Sequence, residues 1–237
     1  MRRPARWRAP DGHPVIRYAA RVIALAITLF VHPAAWAQGP REFRGAPPGD
    51  FDYYLLALSW SPTFCAFEGG RRDPEQCDPG RRLGFVVHGL WPQLERGRLE
   101  HCETVNRSPS RLALEEADGV FPSEGLARHQ WRKHGTCART SPADYFRDVK
   151  QARDRLLVPD LFENASGGDQ RMTSRDVERA FATLNPGLRP DMMTVTCRRG
   201  RLQEVRICFE RDLRGFRTCH RDEDRCPIGE ITVTGAP

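Results

Sequence analysis

Two short stretches hold the residues best suited to chemistry. Residues 85–92 read FVVHGLWP and carry His88 and Trp91. Residues 126–137 read LARHQWRKHGTC and carry His129, Gln130, Lys133 and His134. On a helix each residue turns about 100°. Gln130 and His134 are four apart and Gln130 and Lys133 three apart, so helical geometry puts these three on one face. His129 falls roughly 140° from His134 around the same axis. That is a poor arrangement for two ligands of one metal, and it differs from the H-E-x-x-H spacing of zinc helices. No C-x-x-C pair occurs either. What remains is imidazole, amide and ammonium. An imidazole with an unperturbed pKa of about 6.5 can take or give a proton near neutrality. A positioned cation or amide donor can stabilise an oxyanion. The set suits metal-free phosphoryl transfer. Lys133 stands out further: of 37 basic residues, Lys133 and Lys150 are the two lysines. A compact point charge, rather than the planar guanidinium fork, is placed there. A lone histidine is more often structural than catalytic, and His101 and His220, outside both stretches, default to that role.

The two stretches resemble the active-site signatures of the ribonuclease T(2) family, whose patterns read F-x-V-H-G-L-W-P and H-E-W-x-K-H-G-T-C. They come in the same order, about 40 residues apart. YYLLALSWSPTFC at 53–65 is similar to the family's first core strand and the cysteine after it, and EVRIC at 204–208 to a late strand. The likeness covers most of the chain beyond residue 50 and is least distinct over 157–190. The resemblance implies an endoribonuclease of single-stranded RNA with no metal or other cofactor and little base specificity. RNA brings its own nucleophile, the 2′-hydroxyl beside the scissile phosphate. By resemblance His134 is the general base and His88 the general acid. Lys133 and Gln130 stabilise the pentacovalent phosphorane, and His129 helps hold the phosphate. Trp91 stacks on a base or shapes the pocket. The product implied is a 2′,3′-cyclic phosphate.

Two positions depart from the family pattern. Gln130 stands where the family usually has Glu; an amide donates a hydrogen bond but holds no charge and transfers no proton. Gln93 stands where an acid often follows the Trp-Pro, so no base preference is carried over. The departure at 130 keeps a second reading open, a catalytically weakened RNA-binding or toxin relative of the same fold. A metal-dependent phosphohydrolase is a third reading, which the histidine spacing disfavours.

The elements that must position these residues lie beyond residue 37. The chain has 237 residues, 39% hydrophobic and 29% charged, which excludes collagen-like repeats and wholesale disorder. Its formal charge of +6 looks like attraction to a polyanion. However, residues 1–37 hold six arginines and one acid, Asp11, leaving 31 basic and 30 acidic residues in the remainder. The uncharged run Val22–Val31 follows Arg17 and Arg21 and precedes Ala35-Trp36-Ala37. A spanning helix needs about 20 apolar residues. The pattern therefore reads as a signal peptide over 1–37. It predicts an exported protein, periplasmic or extracellular, with no membrane association after cleavage. A monomer is expected as well, though the leader does not bear on that. Residues 38–50, rich in Gly and Pro, read as a flexible arm, and 51–237 as one ribonuclease T(2)-like catalytic domain.

Asp52–Trp60 and Gly84–Leu90 read as buried strands. Ser141-Pro142 starts a helix, and Thr173 with Asp176 starts another. Met192–Cys197 and Leu202–Phe209 read as a hairpin, with Val205, Ile207 and Phe209 alternating against charged or thiol side chains. Strands at both ends and helices between predict an α+β domain, a central antiparallel β-sheet with helices packed against it. All eight cysteines follow the leader, and an even number in an exported chain implies bridges. Spacing alone leaves 105 connectivities. Cys65–Cys77 is the natural local pair. Cys102–Cys137 resembles a recurrent family bridge and staples the two catalytic stretches. For the last four, Cys197–Cys226 with Cys208–Cys219 is favoured.

Overall fold

The computed structural model describes residues 42–44, 46–138, 140–163, 168–220 and 226–235, and the expected leader lies outside them. Residues Gln38–Pro237 form one compact unit. In chain order its elements are β1 (Glu42–Arg44), β2 (Tyr53–Trp60), α1 (Ser61–Phe64), α2 (Gly70–Arg72), β3 (Phe85–Gln93), β4 (Arg98–Glu100), α3 (Arg111–Glu115), α4 (Glu124–Lys133), α5 (Pro142–Asp154), α6 (Asp160–Glu163), β5 (Gln170–Thr173), α7 (Ser174–Leu184), β6 (Met193–Arg198), β7 (Arg201–Phe209) and β8 (Glu230–Val233).

The apolar run at 53–60 becomes β2, and every residue of it is buried. It is apolar on both faces because it lies between β3 and β7, antiparallel to each. β6 returns onto β7 as the expected hairpin. β8 pairs antiparallel with β5 and meets β7 through one parallel pairing, Arg201 with Thr232. The sheet is thus antiparallel apart from that contact, and the α+β expectation holds.

The two faces of the sheet differ. Leu56, Leu58, Val87, Leu90, Val205 and Ile207 belong to the main core. There α5 packs on β2 and β3, and α7 on β6. Tyr145, Phe146, Val149 and Ala152 of α5 are fully buried, and burial of a large apolar side chain contributes about 1.5–3 kcal/mol. The opposite face carries a small cluster of Tyr53, Leu55, Ala57 and Cys208, with Trp91 and Cys219 against it.

Local signals set the helix starts. The Ser141 hydroxyl accepts from the Asp144 amide at 3.1 Å ahead of Pro142, and Thr173 and Asp176 cap α7 reciprocally. The Ser123 hydroxyl accepts from the Leu126 amide at 3.2 Å and starts α4. The four disulfides join Cys65 to Cys77, Cys102 to Cys137, Cys197 to Cys226 and Cys208 to Cys219, the same pairs named from the sequence.

Two features differ from the sequence reading. Part of the arm expected to be flexible is paired: β1 lies parallel to β4, and the Gly49 amide donates to the Cys137 carbonyl at 2.8 Å. A parallel ladder between segments more than 50 residues apart leaves no local signature, whereas the Gly and Pro content does. The second is a bulge. Ala57 pairs with Gly89, but Leu58 pairs with Val87, so His88 is an extra residue with no cross-strand partner. Strict alternation would give His88 the core face of Leu90. A bulge re-aims a side chain, and here Val87 and Leu90 keep the core while His88 turns to the face of Trp91.

Candidate active site

The six residues singled out from the sequence, His88, Trp91, His129, Gln130, Lys133 and His134, all line one cleft of about 440 Å³ on the second face of the sheet. β3 supplies His88 and Trp91. The last turns of α4 supply His129, Gln130 and Lys133, and His134 ends the helix. Gly89 lets the helix approach the strand. A Cβ at that position would collide with Gln130 Oε1 and Trp91 Nε1. Without one, the Trp91 indole donates to Gln130 Oε1 at 2.9 Å. That bond orients the amide with its carbonyl toward the indole, so the other end is an NH2 donor. Gly135 plays a similar part beyond the helix: a Cβ there would strike the Trp131 and Tyr145 rings. The turn after His134 can therefore lie directly on the core.

Trp91 separates the two histidines. His134 stacks on it with centroids 5.0 Å apart at 24°, and His88 meets it edge-on at 5.4 Å and 82°. The Arg206 guanidinium lies 5.4 Å over the same ring. His134 is only 4% exposed. Burial, then the positive charges of Lys133, His88, His129 and His101, push its pKa well below the usual histidine value. Its Nδ1 finds no hydrogen-bond partner among the described residues. His129 is also lowered, first by partial desolvation and then by Lys133 and Arg132. Lys133 Nζ lies 3.2 Å from Glu100 Oε1. The next residue, His101, donates its amide to the Lys133 carbonyl at 2.8 Å, a backbone role consistent with its default.

His88 is held from below. Its Nδ1 is 2.5 Å from Glu204 Oε1, and Glu204 Oε2 accepts from Arg206 Nε at 2.8 Å. Burial alone would raise the Glu204 carboxyl. The charges and hydrogen bonds of His88 and Arg206 outweigh it and hold the group at about 2. A second cleft, of about 580 Å³, meets the first at His88 and His129 and runs past Ser59, Phe64 and Gln203. Among the described residues, no group of three or more His, Cys, Asp or Glu side chains could hold a metal ion.

Residues 51–219 match the model of the Ribonuclease T2 family. The chain belongs to that family. A ribonuclease of Aeromonas hydrophila is 37% identical over 219 residues, 86% of this chain and 91% of its own. Trichomaglin, described as a novel S-like ribonuclease, shares the fold with a TM-score of 0.63 at 23% identity, over 79% of this chain and 100% of its own. RNase NT in complex with 5′-AMP gives 0.62 at 18%, over 78% and 99%. This ribonuclease T2 is an endoribonuclease, and RNA is its substrate.

The sequence singles out none of Glu100, Glu204 and Arg206. Alternation along β7 places Glu204 and Arg206 on the face away from Val205 and Ile207, which by itself does not say what covers that face. In this ribonuclease T2 the same face is the floor of the cleft, and Glu204 is 3% exposed.

Gly89→Ala tests the close approach of β3 and α4. The added methyl must displace the Trp91–Gln130 bond. Overpacking of this kind costs about 1–3 kcal/mol, and misplacement of catalytic groups by about 1 Å costs on the order of 10²-fold in rate. Both kcat on RNA and Tm are expected to fall; an unchanged pair of values would remove Gly89 from this role.

Proposed function

We propose that this cleft cleaves single-stranded RNA without a metal, by attack of the 2′-hydroxyl on the adjacent phosphodiester, and with little base specificity. His134 takes the 2′-hydroxyl proton. The 2′-oxygen bonds to phosphorus, the bond to the 5′-oxygen breaks, and His88 supplies the proton that oxygen needs. The products are a 2′,3′-cyclic phosphate and a free 5′-hydroxyl, and each histidine ends in the other's starting protonation state. Lys133 and the Gln130 amide stabilise the phosphorane oxygens, and His129 at the mouth helps hold the phosphate. The nucleoside bearing the attacking hydroxyl occupies the cleft beside His134, where Trp91, stacked with His134 and covered by Arg206, shapes the wall. The leaving nucleoside occupies the second cleft, beyond His88.

The observation that carries this reading is the unlike setting of two histidines on one indole. His134 is buried among positive charges, which keeps its ring neutral and able to accept a proton. His88 has an ionised carboxylate at Nδ1, the counter-charge suited to an imidazolium. Environments that divide two titratable groups in this way assign base and acid.

Purified, oxidised protein incubated with RNA and with DNA, with and without EDTA, decides between the readings. Cleavage of RNA alone, unaffected by EDTA and leaving cyclic-phosphate ends, is expected. EDTA-sensitive cleavage would indicate a metal-dependent phosphohydrolase, and RNA binding without cleavage a weakened relative. Gln130→Glu belongs in the same assay. The wild-type amide donates at every pH, whereas a carboxyl donates only while protonated. The variant is expected to cleave RNA and to gain a titration that the wild-type profile lacks. An inert wild type beside an active variant would overturn the reading of Gln130.

We also infer that residues 1–37 are removed on export, to the periplasm or the medium, leaving the 38–50 arm and the 51–237 catalytic domain as a monomer. Four disulfides support an oxidising destination. Among the described residues no helix is long and apolar enough to cross a membrane. N-terminal sequencing of the exported protein is expected to start near Gln38, and size-exclusion chromatography to give one chain's mass. A start before Val22 or a dimer mass would correct these points.

A further inference from the structure

We propose that Glu204 is the positioning residue for His88: its buried carboxylate accepts the Nδ1–H and so presents Nε2 to the leaving 5′-oxygen. This rests on the reading of His88 as the acid.

Geometry comes first. Glu204 Oε1 lies 2.5 Å from His88 Nδ1. An ionised carboxylate only accepts, so the Nδ1 hydrogen is the donor and Nε2 is the nitrogen free to carry and give the mobile proton. The side chain of His88 is 36% exposed, whereas that of Glu204 is 4% exposed. The imidazole therefore spans from the floor of the cleft to its open space. His88 also needs an outside constraint. As the bulged residue of β3 it has no cross-strand partner, and Trp91 touches only its edge.

A buried carboxylate is an expensive way to fill a strand position, because desolvating it costs several kcal/mol unless it is fully partnered. Glu204 is fully partnered. Its second oxygen accepts from Arg206 Nε at 2.8 Å, and Arg206 lies over Trp91. The contacts Trp91–Arg206–Glu204–His88 thus form one connected series across β3 and β7. An apolar residue at 204 would be the better choice for stability alone.

The test uses leaving-group dependence, which a structural role does not produce. Uridylyl-3′,5′-adenosine expels an alkoxide and needs the acid; uridine 3′-(4-nitrophenyl phosphate) expels nitrophenolate and does not. Glu204→Ala is expected to lose kcat on the dinucleotide by on the order of 10²-fold, with KM nearly unchanged. On the nitrophenyl ester it should lose less than about threefold, since that reaction dispenses with general-acid catalysis. Glu204→Gln keeps an acceptor oxygen and the shape of the side chain, so it should recover part of the dinucleotide rate. If Glu204→Ala does not fold, Glu204→Gln decides, with a loss of roughly tenfold confined to the dinucleotide. Equal losses on both substrates overturn the proposal. His88→Ala is the control for the underlying reading. If its loss is confined to the dinucleotide while that of the Glu204 variants is not, Glu204 alone is misassigned. If His88→Ala loses equally on both substrates, His88 is not the acid and both assignments fall.

Discussion

His134→Ala is expected to lower kcat on RNA by roughly 10²- to 10⁴-fold, the range a positioned general base supplies. The variant removes the imidazole that burial and neighbouring cations push furthest toward the neutral form. His88→Ala should fall by a similar factor on RNA, because either proton transfer alone leaves the other unbalanced. The direction of the His134 shift also sets a pH expectation. Below its ordinary value of 6.5 a solvated histidine would be protonated and useless as a base, whereas His134 stays neutral further into acid. The acid limb of kcat/KM is therefore expected below pH 6.5. A limb at or above 6.5, or a His134→Ala enzyme within tenfold of wild type, would remove His134 as the base.

Stability follows the same groups. For His134 the folded value lies below the unfolded one, so its contribution is complete above pH 6.5 and declines as pH falls. For Glu204, at about 2 when folded against 4.5 otherwise, the contribution is present above pH 4.5 and is lost as pH falls toward 2. Both losses run toward acid, and Tm measured against pH should fall as pH drops below 6.5.

Removing the Cys102–Cys137 bridge should have the largest effect on stability. Its ends are 35 residues apart, and closing a loop of that size contributes about 3–4 kcal/mol on the chain-entropy account. For a domain of this size that corresponds to a Tm lower by roughly 10 °C. The consequence reaches the site. Cys137 lies in the turn after His134, and Cys102 follows Glu100 and His101, which bind the Lys133 side chain and carbonyl. The Cys102→Ala/Cys137→Ala pair is therefore expected to lose both Tm and kcat on RNA. Normal values of both would show that packing alone holds these segments together.

The helix starts at Ser141 and Thr173 were legible in the sequence because a cap is made between residues three apart. β2 was legible as a run apolar on both faces, and the shared face of Gln130 and His134 followed from the period of the helix. The arm at 42–44 was not legible, because its partner strand is remote. The bulge at His88 was not either, since register is a property of two strands and the strand period by itself points His88 into the core.

By itself, the sequence determined which chemistry is available: two imidazoles, an ammonium and an amide in two stretches whose residue types match one family. It also determined most of the local elements, since helix period, capping and turn chemistry are short-range. The tertiary structure decided how those groups are tuned. The burial that pushes His134 toward its neutral form, the Glu100 partner of Lys133 and the carboxylate of Glu204, 116 residues from His88, all depend on contacts between segments remote in the chain. The environment of a titratable group is set by what folds around it, and one segment read alone does not contain that environment.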